Sequence, residues 1–523
     1  MRYLIAALLL MLAGCDNATE SGEQTAVPAP VDPQKATHAG IAWYAGSIEQ
    51  AFAESRASGS PVFLYWGAVW CPPCQEIKHT VFKSQEFINL TRLFIPVYLD
   101  GDKERAQSWG EKFGVMGYPT MIVFNPEGQE VTRIPGGIDI SRYNSVLELS
   151  LNQMRPTSTL VGYALGDIDR LTADDYYQLA YYSWGQDTAA VPQGTDKADL
   201  FYRLSTGAMA YPELSARFFM HYLVALATGE DEAGEPADGE EAAARLTALL
   251  SSDALTLACW DTLAYYPDDI LEMTIFSEDQ RAELESLWSE QLFSLRFDPS
   301  LSSAEKLAGW LPLLYVNTRD DQTLSDDLVT QLRDEMQQVD ADTPDSFERQ
   351  SVINQMSYVY RNAGLREDAR SLLLAELGKS ASPYYFMSGL ASMSEKDEQF
   401  DEAVEWRRKA YESATGEATR FQWGANYVRA MIRMVPQQTE TISAASLSLL
   451  DEFHASHEMF AGRNFKILRR LAKQLDEWQE THDVTGSGFK SRIESLCSIQ
   501  AEGSLEQQNC LSLSAPEVVA QAR

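Results

Sequence analysis

Hydrophobic residues run unbroken from Val62 into Trp66 and resume through Val69. A short stretch that is apolar on both faces predicts a central, fully covered β-strand at 62–69. Ahead of it, Ser47 is placed to cap a helix carrying Ile48, Ala51 and Phe52, which Ser58-Gly59-Ser60-Pro61 would end. Behind it, Ile77, Val81 and Phe82 recur at helical spacing and predict a helix over 71–90. The run 94–99 reads as a second buried strand, 103–113 as a helix, and 120–125 and 129–134 as two strands joined across Asn125-Pro126-Glu127-Gly128-Gln129. A last helix begins near Asp139 and carries Tyr143, Val146, Leu147 and Leu151.

From about Thr157 the texture changes. Strand-like runs stop, and helical periodicity repeats between short Pro, Gly, Asp and Ser breaks. The first candidates are 174–182, 199–210, 214–228 and 241–250, and more helices continue to about Glu480. Tyr176, Tyr177, Tyr181, Tyr182 and Trp184 read as a helix–helix core. Ala369 and Ala403 stand 34 residues apart, as do Met356 and Leu390. Gly364-Leu365-Arg366-Glu367-Asp368-Ala369 and Phe400-Asp401-Glu402-Ala403 resemble the middle of tetratricopeptide units. Tyr360 is matched by Ser394, and the earlier helices show no clean period, so the resemblance covers two units of a degenerate, tetratricopeptide-like region. Stacked helix pairs of that kind leave a concave face suited to a partner.

A chain of 523 residues exceeds one core and implies two or three domains. Its net charge of −34 argues against nucleic acid and against electrostatic docking on anionic lipid. Residues 41–155 hold 12 acidic and 10 basic side chains, so nearly all the excess lies C-terminal to them. Such a surface serves solubility, or selects basic clients.

The chemistry concentrates in Trp70-Cys71-Pro72-Pro73-Cys74, directly after the first strand. A strand that delivers a Cys to the first turn of a helix sets the thiol against free N–H groups and the positive end of the dipole, which favour a thiolate. Pro72 suits that first turn, where its missing N–H costs nothing. C-x-x-C also occurs in zinc sites, but no second such pair or Cys/His cluster is present to complete one. His454 and His457, beside Glu458, have no third ligand at compelling spacing and read as a surface pair.

With Gly114-Val115-Met116-Gly117-Tyr118-Pro119-Thr120 about 45 residues downstream and Gly136-Gly137 beyond it, the first domain resembles the thioredoxin superfamily, in its extracytoplasmic Trp-Cys-Pro-Pro-Cys form. The resemblance implies an α/β thioredoxin fold, a mixed sheet flanked by helices, over 41–155. It implies Cys71 as the attacking thiol, Cys74 as the resolving thiol, Trp70 shielding Cys71, and Pro119 in a cis peptide against the pair. Tyr118, with Pro72 and Pro73, would meet an extended client segment through backbone groups. No cofactor beyond the Cys71–Cys74 disulfide is implied, and no metal. The departures concern the proton relay. Relatives carry a buried acid where this chain has Tyr65, and membrane-linked relatives an acid where it has Lys78. Glu76, Lys78 and His79 are expected on a solvated helix face, with Glu76, and more weakly His79, as alternative proton shuttles and with Lys78 lowering a thiol pKa if it points at the site.

At the N-terminus, Arg2, the apolar run from Leu4 to Leu12, and Leu12-Ala13-Gly14-Cys15 resemble a bacterial lipoprotein signal, too short for a stable span. The resemblance implies cleavage before Cys15, lipid on Cys15, and, from Asp16, retention on the periplasmic side of the inner membrane. The expected divisions are 1–14 signal peptide, 15–40 tether, 41–155 thioredoxin-like domain, 156–495 helical domain and 496–523 C-terminal tail. In an oxidising periplasm Cys497 and Cys510 are candidates for a structural disulfide. Cys259 reads as a buried, inert thiol. Two functions remain open: a membrane-anchored thiol–disulfide oxidoreductase, with the reducing direction favoured, acting on protein thiols or disulfides with electrons from a membrane thiol carrier; and a periplasmic adapter in which the helical region is the working part.

Overall fold

The computed structural model describes residues 40–513, apart from 104–105, 137–139, 152–154, 188, 229–237, 320–321, 454–456, 483 and 485–487. The expectations for Cys15, the tether, Gly137, Asp139 and His454 fall outside the described residues.

Helix α1 (Ile48–Ser58) starts at a capping box between Ser47 and Gln50 and ends at Gly59 with φ 78°. Strand β1 (Val62–Gly67) pairs in parallel with β2 (Ile95–Asp100) and antiparallel with β3 (Thr120–Phe124), which pairs antiparallel with β4 (Glu130–Ile134). The sheet order is β2-β1-β3-β4. Period-2 alternation sends Val62, Leu64 and Trp66 to one face, against Ile48, Ala51, Ala106 and Trp109. Phe63 and Tyr65 go to the other, against Ile77, Phe82, Phe87, Tyr143 and Val146. The first domain is thus three layers, with α1 and α4 (Ala106–Lys112) on one side and α2 (Pro72–His79), α3 (Gln85–Thr91) and α5 (Ile140–Ser150) on the other.

The helix expected over 71–90 is in fact two. It stops after His79, makes a 3-10 turn at Val81–Lys83, and restarts as α3. The Thr80 hydroxyl bonds back to the Glu76 carbonyl at 2.7 Å, and Ser84 caps the new helix, so local side-chain bonds compete with the ladder. The break lets the consecutive residues Val81 and Phe82 both enter the core.

Everything from Thr157 to Ser512 is helices and connections among the described residues. No described helix is long and apolar enough to cross a membrane. The helical region packs directly on the first domain. One hydrophobic core runs from Phe63 and Tyr143 through Tyr181, Trp288 and Trp310 to Met393. The open edge of β4 is also covered: the Val131 carbonyl accepts from Thr157 Oγ1 at 3.0 Å and Gln178 Nε2 at 2.6 Å, and the Arg133 carbonyl from Ser183 N at 2.8 Å. The aromatic cluster is core as expected, with Tyr176, Tyr181 and Tyr182 buried.

The 34-residue spacing has a structural counterpart. Helices Glu348–Asn362 and Arg366–Glu376 form one hairpin, and Pro383–Lys396 and Phe400–Ser413 the next. Ala369, Ala403, Met356 and Leu390 are all buried. Each first helix ends through a residue in the left-handed region, Gly364 at φ 73° and Glu398 at φ 58°.

The segment read as a C-terminal tail is folded as far as it is described. Helices Phe489–Ser498 and Leu505–Ser512 bury Leu496, Cys497 and Cys510 in a second core built on Phe421, Leu449 and Trp478. Ser504 caps the last helix, and Cys497 and Cys510 stand as a disulfide with Cα atoms 5.4 Å apart. Cys259 is a free, buried thiol, pushed up to about 12 by burial.

Candidate redox site

Strand β1 ends at Gly67, and the chain turns through Ala68 and Val69 into α2. Cys71 is the N-cap: its Sγ accepts the N–H of Cys74 at 3.2 Å. Pro72 takes the first helical position, and Gln75 reaches back to the Val69 carbonyl, fixing the turn. Cys71 and Cys74 stand as a disulfide, with Cα atoms 5.2 Å apart. The Tyr118–Pro119 peptide is cis, and the Pro119 carbonyl accepts from Gln186 Nε2 at 2.7 Å. The structure therefore places Trp70, Cys71, Cys74 and Tyr118 in one cluster, with Pro119 next in chain after Tyr118. Pro72 is buried and Pro73 exposed.

The site is not open. Cys71 is 2% exposed and Cys74 fully buried, packed with Tyr384, Ala410, Ala414 and Trp423 of the helical region. Trp70 stacks on Tyr385, with ring centres 6.0 Å apart, and meets Trp423 and Tyr118 edge-on. Its Nε1 donates to Thr419 Oγ1 at 2.6 Å. Thr419 in turn donates to Asp102, backbone N–H to Oδ1 and hydroxyl to Oδ2, both at 2.6 Å. The guanidinium of Arg463 lies over the rings of Tyr118 and Trp70, at 5.3 and 5.7 Å from their centres.

Beside this contact two helices cap one another. Glu458 accepts from the first-turn amide of Gln107 in α4 at 2.6 Å. Gln107 Oε1 accepts from the amides of Arg463 and Asn464 at 3.1 and 3.3 Å, and Glu111 from Gly462 N at 2.9 Å, at the start of helix Gly462–Thr481. Two glycines permit the approach. A Cβ on Gly416 would lie 2.4 Å from the Asp102 carboxyl carbon, and one on Gly462 would lie 2.3 Å from the Gln107 carbonyl oxygen. Both have positive φ, 84° and 52°.

The expectation of a solvated face on α2 is corrected here. Helix Glu348–Asn362 packs on α2 and covers it. Lys78 is 4% exposed. Glu76 accepts from the Ser302 hydroxyl, and burial raises its pKa. His79 holds the Gln75 carbonyl at 2.8 Å and Asp345 at 3.1 Å. Local periodicity cannot register a cover that lies some 270 residues away in sequence. Burial is the first cause of every shift around the dithiol: Asp102 is raised to about 6, Asp100 is raised, Tyr118 is pushed up to about 12, and Lys78 is pushed down to about 8. Sequence reasoning did not reach Asp102, Gln107, Tyr384, Tyr385, Thr419, Trp423 and Arg463. Nothing in their local pattern marks them, because they are brought in only by tertiary packing.

A family model described as a thioredoxin-like domain matches residues 48–150. Thiol:disulfide interchange protein DsbD of Klebsiella pneumoniae is 30% identical over 104 residues, which are 19% of this chain and 17% of that protein. Nucleoredoxin of Bos taurus is 26% identical over 110 residues, 16% of this chain and 25% of that protein. A solved structure titled DsbH Oxidoreductase is 21% identical with a TM-score of 0.20, covering 25% of this chain and 95% of that one. The chain thus spans about a sixth to a quarter of the curated relatives' length. Residues 48–150 are a thioredoxin-like domain homologous to disulfide oxidoreductases, with a Cys71–Cys74 pair at disulfide distance.

Proposed function

We propose that the chain is a thiol–disulfide oxidoreductase acting on protein disulfides through Cys71 and Cys74, in the reducing direction, and held on the periplasmic side of the inner membrane by lipid on Cys15. The observation that carries the reading is Cys71 at the N-cap of α2, its sulfur accepting the amide of Cys74. That position favours a thiolate through the helix dipole and a free N–H. In the reduced state the Cys71 thiolate attacks a client disulfide, forming a mixed disulfide and releasing one client thiolate. Cys74 then attacks Cys71 Sγ, the bond to the client breaks, and the client leaves with its second thiol. Two electrons pass to the client and the Cys71–Cys74 disulfide forms; a membrane thiol carrier restores the dithiol.

One observation favours a share for the adapter reading: the helical region sits directly on the motif. A protein client reaches Cys71 only after displacing Tyr384, Trp423 and their neighbours, so recruitment by the helices and exposure of the thiol would be one event. Client trapping tests the reading. Cys74→Ser should stall Cys71 in discrete mixed disulfides that vanish in Cys71→Ser. An empty gel from folded, exported protein would shift the function to the helical region. A phenotype that survives loss of both cysteines would do the same.

A further inference from the structure

Beneath α2, one helical turn beyond Cys74, lies a set of buried ionisable groups. Lys78 stands four residues after Cys74, so the two side chains leave the helix on the same side. Tyr98 and Asp100 alternate along β2 and project from one face of the sheet. Tyr65 lies opposite Tyr98 in register, with the rings stacked 5.5 Å apart. The Lys78 ammonium stands 5.6 Å from the centre of the Tyr98 ring. Lys78 Nζ and the hydroxyls of Tyr65 and Tyr98 are buried, and none has a hydrogen-bond partner among the described residues.

A buried ammonium without a hydrogen-bonded partner opposes folding, and an apolar side chain of similar length would not. Groups kept at such a disadvantage concentrate where chemistry uses them. The buried thiol one turn away has to ionise for a mixed disulfide to be resolved. The groups facing Lys78 are few. Asp100 and Tyr98 come from β2 and Tyr65 from β1, and Asp102 lies behind Asp100. Glu76 and His79, on Lys78's own helix, are engaged with Ser302 and Asp345 of the helical region. Asp100 works against the effect of burial and helps keep the ammonium charged.

Resting on the redox reading above, we propose that Lys78 is a positioning residue for the proton of Cys74, its ammonium favouring the thiolate that resolves the mixed disulfide. Cys74 releases its proton and attacks Cys71 Sγ. The electron pair of the broken bond leaves on the departing sulfur, which takes up the proton.

The test needs no client. The reduced protein is mixed with one equivalent of an aromatic disulfide, whose one half is transferred to Cys71 while the other leaves as the thiol, and release of the second chromophore by Cys74 is monitored in single turnover against pH. In Lys78→Met the apparent pKa of release should rise by about one unit, which makes release at pH 7 about tenfold slower. Lys78→Arg should restore the profile. Lys78→Gln, which keeps a polar end without charge, carries the same expectation if the Met variant does not fold. An unchanged profile in a folded Met or Gln variant would overturn the proposal. Failure of the wild type to release the chromophore would overturn the redox reading itself, and this proposal with it.

Discussion

Thr419→Val isolates what holds the helical region on the redox motif. Thr419 is 3% exposed, and its hydroxyl accepts from Trp70 and donates to Asp102, each at 2.6 Å. Valine keeps the volume and removes both bonds. The bond to the carboxylate is charge-assisted, and the indole N–H is left buried without a partner, so the docked arrangement should lose about 3 kcal/mol. Those bonds exist only while the region is docked, so the equilibrium constant for exposing Cys71 should rise about 150-fold, at 1.4 kcal/mol per decade. When reclosing outruns chemistry, labelling of the transiently opened thiol tracks that constant. The assay is the rate of iodoacetamide labelling of Cys71 in reduced protein at fixed pH, read by peptide mass, with buried Cys259 reporting global unfolding. Thr419→Ser, which keeps the oxygen, should label near the wild-type rate. If Thr419→Val labels within about threefold of wild type while its melting shows the lost stability, the contact does not guard the thiol and the reasoning fails.

Buried charge gives two further expected outcomes. Burial raises Asp102 to about 6, so the docked form binds a proton more tightly than an undocked form with an ordinary carboxyl. Its contribution to docking is fully present below the ordinary carboxylate range and is lost as pH rises through about 6. Asp102→Asn should remove that dependence, measured as interface protection from hydrogen exchange between pH 5 and 7; a slope retained in the variant would assign it to another group. In the helical region Arg349 holds the fully buried Glu376 and, less deeply, Asp340, each at 2.6 Å. Arg349→Met strands the Glu376 charge and should destabilise the protein by about 3–5 kcal/mol, whereas Arg349→Met with Glu376→Leu should recover most of it in urea melts.

The elements that were legible in the chain are those whose cause is local. The two-faced apolar run at 62–67, the two strands joined across the Asn125–Gln129 turn and the Ser47 cap each carry their instruction within a few residues. So do Cys71 at the head of a helix and the Tyr118–Pro119 loop, since neighbours decide the first and proline chemistry the second. The broken helix at Thr80 was legible only in part, because apolar spacing continues through a break made by the Thr80 and Ser84 hydroxyls. Helical spacing marked Glu76, Lys78 and His79 as an outer face, yet Glu76 and His79 meet Ser302 and Asp345 of the helical region, and Lys78 is a buried charge beside Tyr98 of β2.

The sequence by itself determined a thioredoxin-like domain, its redox pair and the all-helical character of the region C-terminal to it, because short apolar runs bounded by turns, helix capping and the Cys-Pro-Pro-Cys turn are short-range physics. Only the tertiary structure decided that the helical region closes over that pair. The bonds that hold it there, Trp70 to Thr419 and Asp102 to Thr419, join residues 349 and 317 positions apart. Their positions in sequence have no periodicity to betray them, because the contact is set by how two completed surfaces fit.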